Sequence, residues 1–395
     1  MRFKFEAIDL FSGCGGVSCG LTLAGFKVKA AVEIEESAVK TYLGYPPLAQ
    51  VNVLHGAKEG DICKLNGNDI LKAANIKKDE IYLLAGCPPC QNFSRQNPNN
   101  AKKSVEERKK LLFEFLRIIE ELEPPFILME NVPGIKDKIN KDILNEFLTS
   151  LRKKYIVKDD ILNSADYGVP QIRKRFVLHA VRIDIHDELI EENFIFELPK
   201  ATHSNRENDG LLPWKTVREA IGDLPAIKAG ETFKDSKGVI YNHKCANLDE
   251  INIKRIRAIR ANGGSRSGLP KELVLECHKK KNEDGKVFDG HGDVYGIMEA
   301  DKPSPTMTGG CLFYSKGRYG HYEQDRAISI REAARLQTFP GDFIFSNSLM
   351  VSALQIGNAV PIDLVKVSAI TLKQAIYVIK VKRSREKHHN SIKNE

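Results

Sequence analysis

Short apolar runs alternate with amphipathic stretches through the first 180 or so residues of the chain. Phe5–Phe11, Val28–Glu33, Ile81–Ala85 and Phe126–Met129 are too short for helices and are bounded by glycine, proline or charge, which predicts buried strands. Val17–Ala24 lies between the first two and is closed by Gly25, so it reads as a helix. Ser104 and Glu107 have the spacing of a capping box. Leu112, Phe115, Leu116, Ile119 and Leu122 then mark one helical face until Pro124-Pro125 ends it. Ile143–Leu151 is amphipathic, and Tyr155–Leu162 and Arg175–Val181 read as further strands. The alternation predicts an α/β class fold built from βαβ units.

After about residue 182 the rhythm breaks. Residues 183–300 read as loop-rich, with little periodicity and the only tryptophan, Trp214. Lys254–Lys281 holds nine Lys/Arg against two Glu around the loop Asn262–Gly268, either a reader of phosphates and base edges or a solvated face. Ser329–Leu336 restores a helix. Gln355–Pro361 reads as a compact turn opening an apolar helix, Ile362–Ile379, expected to pack on the first domain. Lys380–Glu395 is basic and expected to be disordered. These readings divide the chain into residues 1–182 plus 320–380, a smaller loop-rich domain over 183–319, and a tail over 381–395. No internal repeat is seen.

Composition narrows the class. At 395 residues, 42% hydrophobic and 28% charged, the chain is ordinary for a globular protein with a large core. No apolar run approaches membrane-spanning length, and the N-terminus lacks the apolar core of a signal peptide. Eight scattered cysteines suggest reduced thiols in a cytosolic setting. A net charge of +8 fits a polyanionic partner without establishing one.

Candidate chemistry sits at the ends of the predicted strands. Gly86-Cys87-Pro88-Pro89 stops a strand abruptly and holds Cys90 at a rigid turn, where ligands bind in open α/β sheets. Cys90 reads as a nucleophile or as a packed core thiol. Zinc would need a second close pair that the other cysteines do not supply, and Pro-Pro suits a redox C-x-x-C poorly. Ser12–Gly16 is a glycine turn between strand and helix, but position 18 is Ser where a dinucleotide fingerprint has its third glycine. Glu33 ends the next strand about 20 residues on, at the ribose-binding spacing. An adenosyl ligand without pyrophosphate fits this turn; a purely structural turn is the alternative. Asp61 reads as a cap or turn residue. Glu130 ends a strand, as an acid partner of Cys90 or as the partner of a basic group. Arg173 and Arg175 are expected to point the same way, toward a phosphate or carboxylate or simply into solvent.

DLFSGCGG (9–16), GCPPCQNFS (86–94), ENVPG (130–134), DYGVPQIRKRF (166–176), REAARLQTFP (331–340) and GNAVP (357–361) together resemble the ordered motifs of the cytosine-5 DNA methyltransferases. GGSRSGLP, HGDVYG and KPSPTMTGG resemble a bacterial branch of restriction-modification type. The resemblance implies a Rossmann-like, S-adenosylmethionine-dependent sheet with helices on both faces, plus a target-recognition domain. It implies Cys90 as the nucleophile on C6 of a flipped-out cytosine and Glu130 as the acid at N3 and the exocyclic amine. It implies Arg173 and Arg175 as the pair positioning the base and its phosphate, with Arg175 also supporting Glu130. Phe11, Gly13, Gly15, Glu33, Asp61, Ile62, Asn358 and Val360 resemble cofactor residues. Gln91 and Ser94 fall in a loop that resembles the one closing over DNA, and Arg266 and Ser267 in the recognition region. Two departures stand out: Cys87 where glycine is common, and Ile297 where arginine is frequent. The implied partner is double-stranded DNA, with a cognate restriction endonuclease acting on the same site without needing to bind. A monomer in the prokaryotic cytoplasm, with no metal and no membrane attachment, completes the expectation. A tRNA cytosine-5 methyltransferase is the nearest alternative. A nicotinamide-dependent oxidoreductase and an inactive DNA-binding protein are more distant ones.

Overall fold

The computed structural model describes residues 3–89, 93, 104–264, 266, 269–276 and 293–393, in two compact units. The first comprises residues 1–167, 174–202 and 360–395; the second comprises 168–173 and 203–359. The boundaries read from the sequence at 182/183 and 319/320 therefore lie at 202/203 and 359/360. The cause is packing. Ile185 and Leu189 belong to an apolar core of the first unit, whereas Ala327 shares a core of the second with Ile256, Ile259 and Tyr314.

The first unit begins β1 (Glu6–Leu10), α1 (Gly16–Leu23), β2 (Lys27–Glu33), α2 (Glu36–Leu43), β3 (Asn52–His55), α3 (Gly56–Glu59), α4 (Gly67–Ala74) and β4 (Leu83–Gly86). It continues through α5 (Val105–Leu122), β5 (Phe126–Asn131), α6 (Lys141–Leu151), β6 (Tyr155–Asn163), β7 (Lys174–Arg182) and α7 (Ile183–Glu191). In the second unit follow β8 (His203–Ser204), β9 (Leu212–Pro213), α8 (Val217–Ile221), α9 (Glu250–Ala261), α10 (Ile330–Leu336) and α11 (Leu349–Asn358). The chain returns to the first unit as α12 (Ile362–Lys393).

Seven strands form one sheet in the order β3-β2-β1-β4-β5-β7-β6. β1 to β5 pair in parallel, and β7 runs antiparallel between β5 and β6. Alternate residues of each strand face opposite sides. Ile8, Leu10, Leu84, Ile127 and Met129 join α4, α5 and α6 in one core; Ala7, Leu83, Ala85, Phe126 and Leu128 join α1, α7 and α12 in the other. The α/β sheet with helices on both faces is thus present. The strand order reverses between β1 and β4, so their carboxyl ends flank the crevice where such sheets bind ligands.

Several local expectations hold. The Ser104 hydroxyl accepts from Glu107 N and the Glu107 carboxylate accepts from Ser104 N, a capping box opening α5. Others are corrected. Lys380–Lys393 is not disordered but continues α12: Lys382, Arg383 and Arg385 pair with Glu191, Glu188 and Glu192 at the end of α7. Gln355–Asn358 is the last turn of α11, not a free turn. Much of the basic stretch after residue 250 is helix α9, in which Arg257 and Arg260 both pair with Asp325.

Among the described residues of the second unit, strand pairing amounts to a two-residue ladder, β8 with β9, and a few isolated bridges. Its coherence comes instead from buried side chains. Arg173, Arg326 and Arg331 are among the largest fully buried side chains of the described residues, and all three belong to this unit. Arg331 donates to the carbonyls of Tyr241, Pro340 and Phe343. Arg326 donates to those of Ile227 and Ala327 and to both oxygens of buried Glu332. Loop carbonyls that cannot reach a ladder still need donors once buried, and a guanidinium offers five.

Candidate active site

The loop after β1 carries three left-handed residues within five positions: Phe11 at φ 58°, Gly13 at φ 55° and Gly15 at φ 99°. Alternation of this kind makes a tight turn whose N–H groups point inward: Ser12 N donates to Val32 O, Gly15 N to Ser12 O and Gly13 N to the Glu33 carboxylate. At Phe11 a positive φ is strained for a side-chain-bearing residue, as residues in functional loops often are. A Cβ on Gly15 would lie 2.9 Å from the Tyr42 ring, while one on Gly13 would meet nothing within 4 Å. The loop is therefore packed from behind and open in front.

Ser18 explains the missing third glycine. It is fully buried in α1, donates to Asp9 Oδ2 at 2.6 Å, and accepts from the Tyr42 hydroxyl at 2.7 Å. A hydrogen-bonded chain thus ties α1 to the end of β1 beneath the loop. The close helix approach that glycine allows occurs two residues on, where a Cβ on Gly20 would sit 2.6 Å from Val365 of α12. Burial pushes the Asp9 carboxyl up to about 7.

Glu33, at the end of β2, faces this loop. Its carboxylate accepts from Gly13 N at 2.7 Å and from Glu35 N at 2.8 Å, and burial raises its pKa. Each oxygen keeps a lone pair for a ligand hydroxyl. Gly60 packs so tightly on the Glu33 carbonyl that a Cβ there would come within 2.2 Å, which brings the turn at Asp61 beside the end of β2. Asp61 caps that turn by accepting from Cys63 N, and Ile62 is buried in the core. The two have different parts: Asp61 keeps a partly exposed carboxylate, whereas Ile62 packs inward.

Beyond β4 the strand-stopping segment reaches Pro89; Cys90, Gln91 and Ser94 lie outside the described residues. Two residues of ENVPG hold the segment on either side. Asn131 is fully buried; its Nδ2 donates to the Pro88 carbonyl at 3.0 Å and its Oδ1 accepts from Val132 N. Gly134 lies against Phe93, whose carbonyl a Cβ would meet at 2.1 Å, while the Phe93 ring is buried in the core. The residue pattern marked Glu130 but not these two. Their signal was present in the invitation to a tight turn made by Asn-Val-Pro-Gly.

Glu130 pairs with Arg175 Nε at 2.7 Å, with both side chains nearly buried. It also lines a small apolar cavity with Cys87, Leu128 and Val360. Arg173 does not join this pair. β7 starts at Lys174, so the two arginines do not share the face of one strand. Arg173 belongs to the second unit, where it is 1% exposed and donates to the carbonyls of Met307, Gly357 and Ala359. The two arginines therefore have different partners, a carboxylate for Arg175 and backbone carbonyls for Arg173.

In the second unit, Asn358 ends α11 and is exposed, Arg266 is half-buried, and Ser267 lies outside the described residues. Ile297, one of the two departures from the expected pattern, is 4% exposed and packs with Ile256 and Ile259.

The C-5 cytosine-specific DNA methylase profile matches residues 5–374 of this chain. Type II methylase M.HgiDII of Herpetosiphon aurantiacus is 36% identical over 373 residues, covering 93% of this chain and 94% of that protein. Type II methyltransferase M1.HphI of Haemophilus parahaemolyticus is 32% identical, over 90% and 82%. Among solved structures, a putative prophage-encoded DNA modification methyltransferase of E. coli matches with a TM-score of 0.62 at 26% identity, covering 95% of this chain and all of that one. The chain belongs to the C-5 cytosine-specific DNA methylase family. It is a DNA cytosine-5 methyltransferase of the bacterial type II kind, and the tRNA alternative is not favoured. No helix among the described residues is long and apolar enough to cross a membrane.

Proposed function

We propose that this methyltransferase acts on one cytosine of a specific short duplex sequence through a transient bond between Cys90 and C6 of the extruded base. The observation that carries the reading is the nearly buried Glu130–Arg175 pair at the end of β5, next to the asparagine that grips the backbone leading into Cys90. C5 of an aromatic pyrimidine is a poor nucleophile. Addition of the Cys90 thiolate to C6 breaks the C5–C6 double bond and places an electron pair on C5. Glu130, oriented by Arg175, bonds N3 and the exocyclic amine and stabilises the charge that spreads into the ring. S-adenosylmethionine, held by Gly13, Gly15 and Glu33, would supply the electrophilic methyl group that C5 takes up, its sulfonium becoming a neutral thioether. The C5 proton then passes to solvent, the double bond re-forms and the thiolate is expelled.

The residues suit that cofactor. The open face at Gly13, the tight turn with Phe11 and Gly15, and the spare lone pairs of Glu33 suit an adenosyl ligand with two ribose hydroxyls. Asp61, Ile62, Asn358 and Val360 complete the set. Gln91, Ser94, Arg266 and Ser267 are assigned to DNA, and the enzyme to a monomer that protects DNA from a cognate restriction endonuclease. We assign the first unit to catalysis and cofactor binding and the second to target recognition.

The test is transfer of labelled methyl groups to genomic duplex DNA and to tRNA by wild type and Cys90→Ala, with bisulfite sequencing of the DNA. Label at one recurring DNA sequence, lost in the variant, is expected. Duplexes carrying 5-fluorocytosine at that sequence should trap a covalent complex, because fluorine cannot leave C5 as a cation. Label confined to tRNA, or a fully active Cys90→Ala variant, would overturn the reading.

A further inference from the structure

The fate of Arg173 carries an inference beyond this function. The last carbonyls of a helix have no partner within it and attract donors and positive charge. At the end of α11 the carbonyls of Gln355, Ile356 and Gly357, and that of Ala359 just beyond, find donors. Ala359 N donates to Gln355 O. Gln337 Nε2 donates to Ile356 O at 2.6 Å and to Ala359 O at 3.1 Å. Arg173 Nη2 donates to Gly357 O at 2.8 Å and to Ala359 O at 3.0 Å. Gln171 sets the cap from behind. Its Nε2 donates to Gln337 Oε1 at 3.0 Å, which leaves the Gln337 amide nitrogen facing α11, and its Oε1 accepts from Met307 N at 2.9 Å. Arg173 takes the Met307 carbonyl, so the two residues satisfy both backbone groups of Met307. Gly357 in turn presses on Thr308, whose carbonyl carbon a Cβ would approach to 2.1 Å. Gln171, Arg173 and Gln337 are all fully buried, within one unit.

We propose that these three side chains are a buried carboxyl-terminal cap of α11, and that Arg173 serves cofactor binding through that cap as a positioning residue, without touching DNA or the target base. The cap fixes the backbone on both sides of Asn358, just before the chain re-enters the first unit at Val360. The proposal rests on the proposed function, in which Asn358 and Val360 meet S-adenosylmethionine. The first two members of Gln-x-Arg-x-Arg then hold a helix end, and only the third, Arg175, serves the catalytic acid.

Calorimetric binding of S-adenosylmethionine and the salt dependence of duplex-DNA binding, on full-length wild type, Arg173→Ala, Arg173→Lys and Gln337→Ala, test this. Arg173→Ala and Gln337→Ala should each weaken cofactor binding about tenfold, the factor that one lost capping interaction supplies. The double variant should lose less than the product, since both side chains hold Ala359 O. Arg173→Lys should fall between, because an ammonium cannot span three carbonyls. The salt slope of DNA binding should stay at the wild-type value. Gln337→Ala is neutral and milder, so it keeps the test open if Arg173→Ala does not fold. Cofactor binding unchanged in both alanine variants overturns the proposal, as does a salt slope reduced by about 0.9 in Arg173→Ala, the mark of one lost phosphate contact. A wild type that binds no S-adenosylmethionine overturns the functional reading and the proposal with it. A wild type that binds it, with variants that bind equally well, overturns the proposal alone.

Discussion

In the first unit, backbone polar groups are satisfied by the ladders of a seven-stranded sheet, and the cores on its two faces are almost wholly apolar. In the described part of the second, ladder pairing shrinks to the two residue pairs of β8 and β9, and long loops are fastened by buried arginine, glutamine and histidine. The difference teaches where each unit is vulnerable. A sheet unit depends on close approach between elements and tolerates changes in polar side chains away from its site. A unit of stapled loops depends on a few charged groups whose removal leaves partners stranded in a dry interior.

The largest expected effect comes from breaking a staple. Glu332→Leu leaves the Arg326 guanidinium buried without its bidentate carboxylate and should cost about 3–5 kcal/mol. Trp214, the only tryptophan, lies in the second unit, so its fluorescence in denaturant titrations reports that unit directly. A midpoint unchanged by Glu332→Leu would refute the contrast.

The matching test in the first unit is one of space. A Cβ on Gly86 would lie 2.4 Å from the Phe115 ring, so Gly86→Ala should cost about 1–3 kcal/mol through overpacking at the end of β4. Circular dichroism during denaturant unfolding would measure it, and methyl transfer should suffer with it because the residue precedes the Cys90 turn.

Acidity should separate the units further. His321 is buried and accepts at Nδ1 from Glu323 N and Gln324 N; burial is the main reason its pKa falls from 6.5 to about 4. Between those values the unfolded chain holds the proton and the folded one does not, so stability of the second unit should drop as pH falls from 6.5 toward 4. His321→Asn should flatten that loss in the Trp214 signal. Asp9 runs the other way. Burial raises it from 3.8 to about 7, so its stabilising contribution is complete below 3.8 and disappears as pH rises through 7. His179, buried in the same unit and lowered to about 4, opposes it, so the Asp9 part must be read as the difference between wild type and Asp9→Asn. That difference should shrink from about pH 4 to about pH 7 and be level above.

The smallest effect is expected where charge meets water. Glu188→Gln removes the partly exposed partner of Arg383 and should lower stability by only about 0.5 kcal/mol, less at high salt. A thermal scan at two salt concentrations would check it.

Much of the first unit was legible because its signals are local. A short apolar run that stops at glycine or proline needs no distant partner to read as a strand, and the residue at its stop must lie at a strand end. Glu33 and Glu130 were found that way. The helical tail was missed for the opposite reason: Lys382, Arg383 and Arg385 look like solvated charge until the carboxylates of Glu191, Glu188 and Glu192 are brought beside them. The pairing of Arg257 and Arg260 was equally out of reach of the sequence, since Asp325 is more than 60 residues away.

By itself, then, the sequence determined the strand–turn–helix units, the residues at their ends and the family, because these depend on short-range pattern and on motifs in a recognisable order. Only the tertiary structure decided the partners of buried polar groups. Two arginines separated by a single residue ended in different units, one holding a carboxylate at a strand end and the other a helix end. A guanidinium goes wherever unpaired acceptors are buried, and where those lie is a property of the folded chain as a whole.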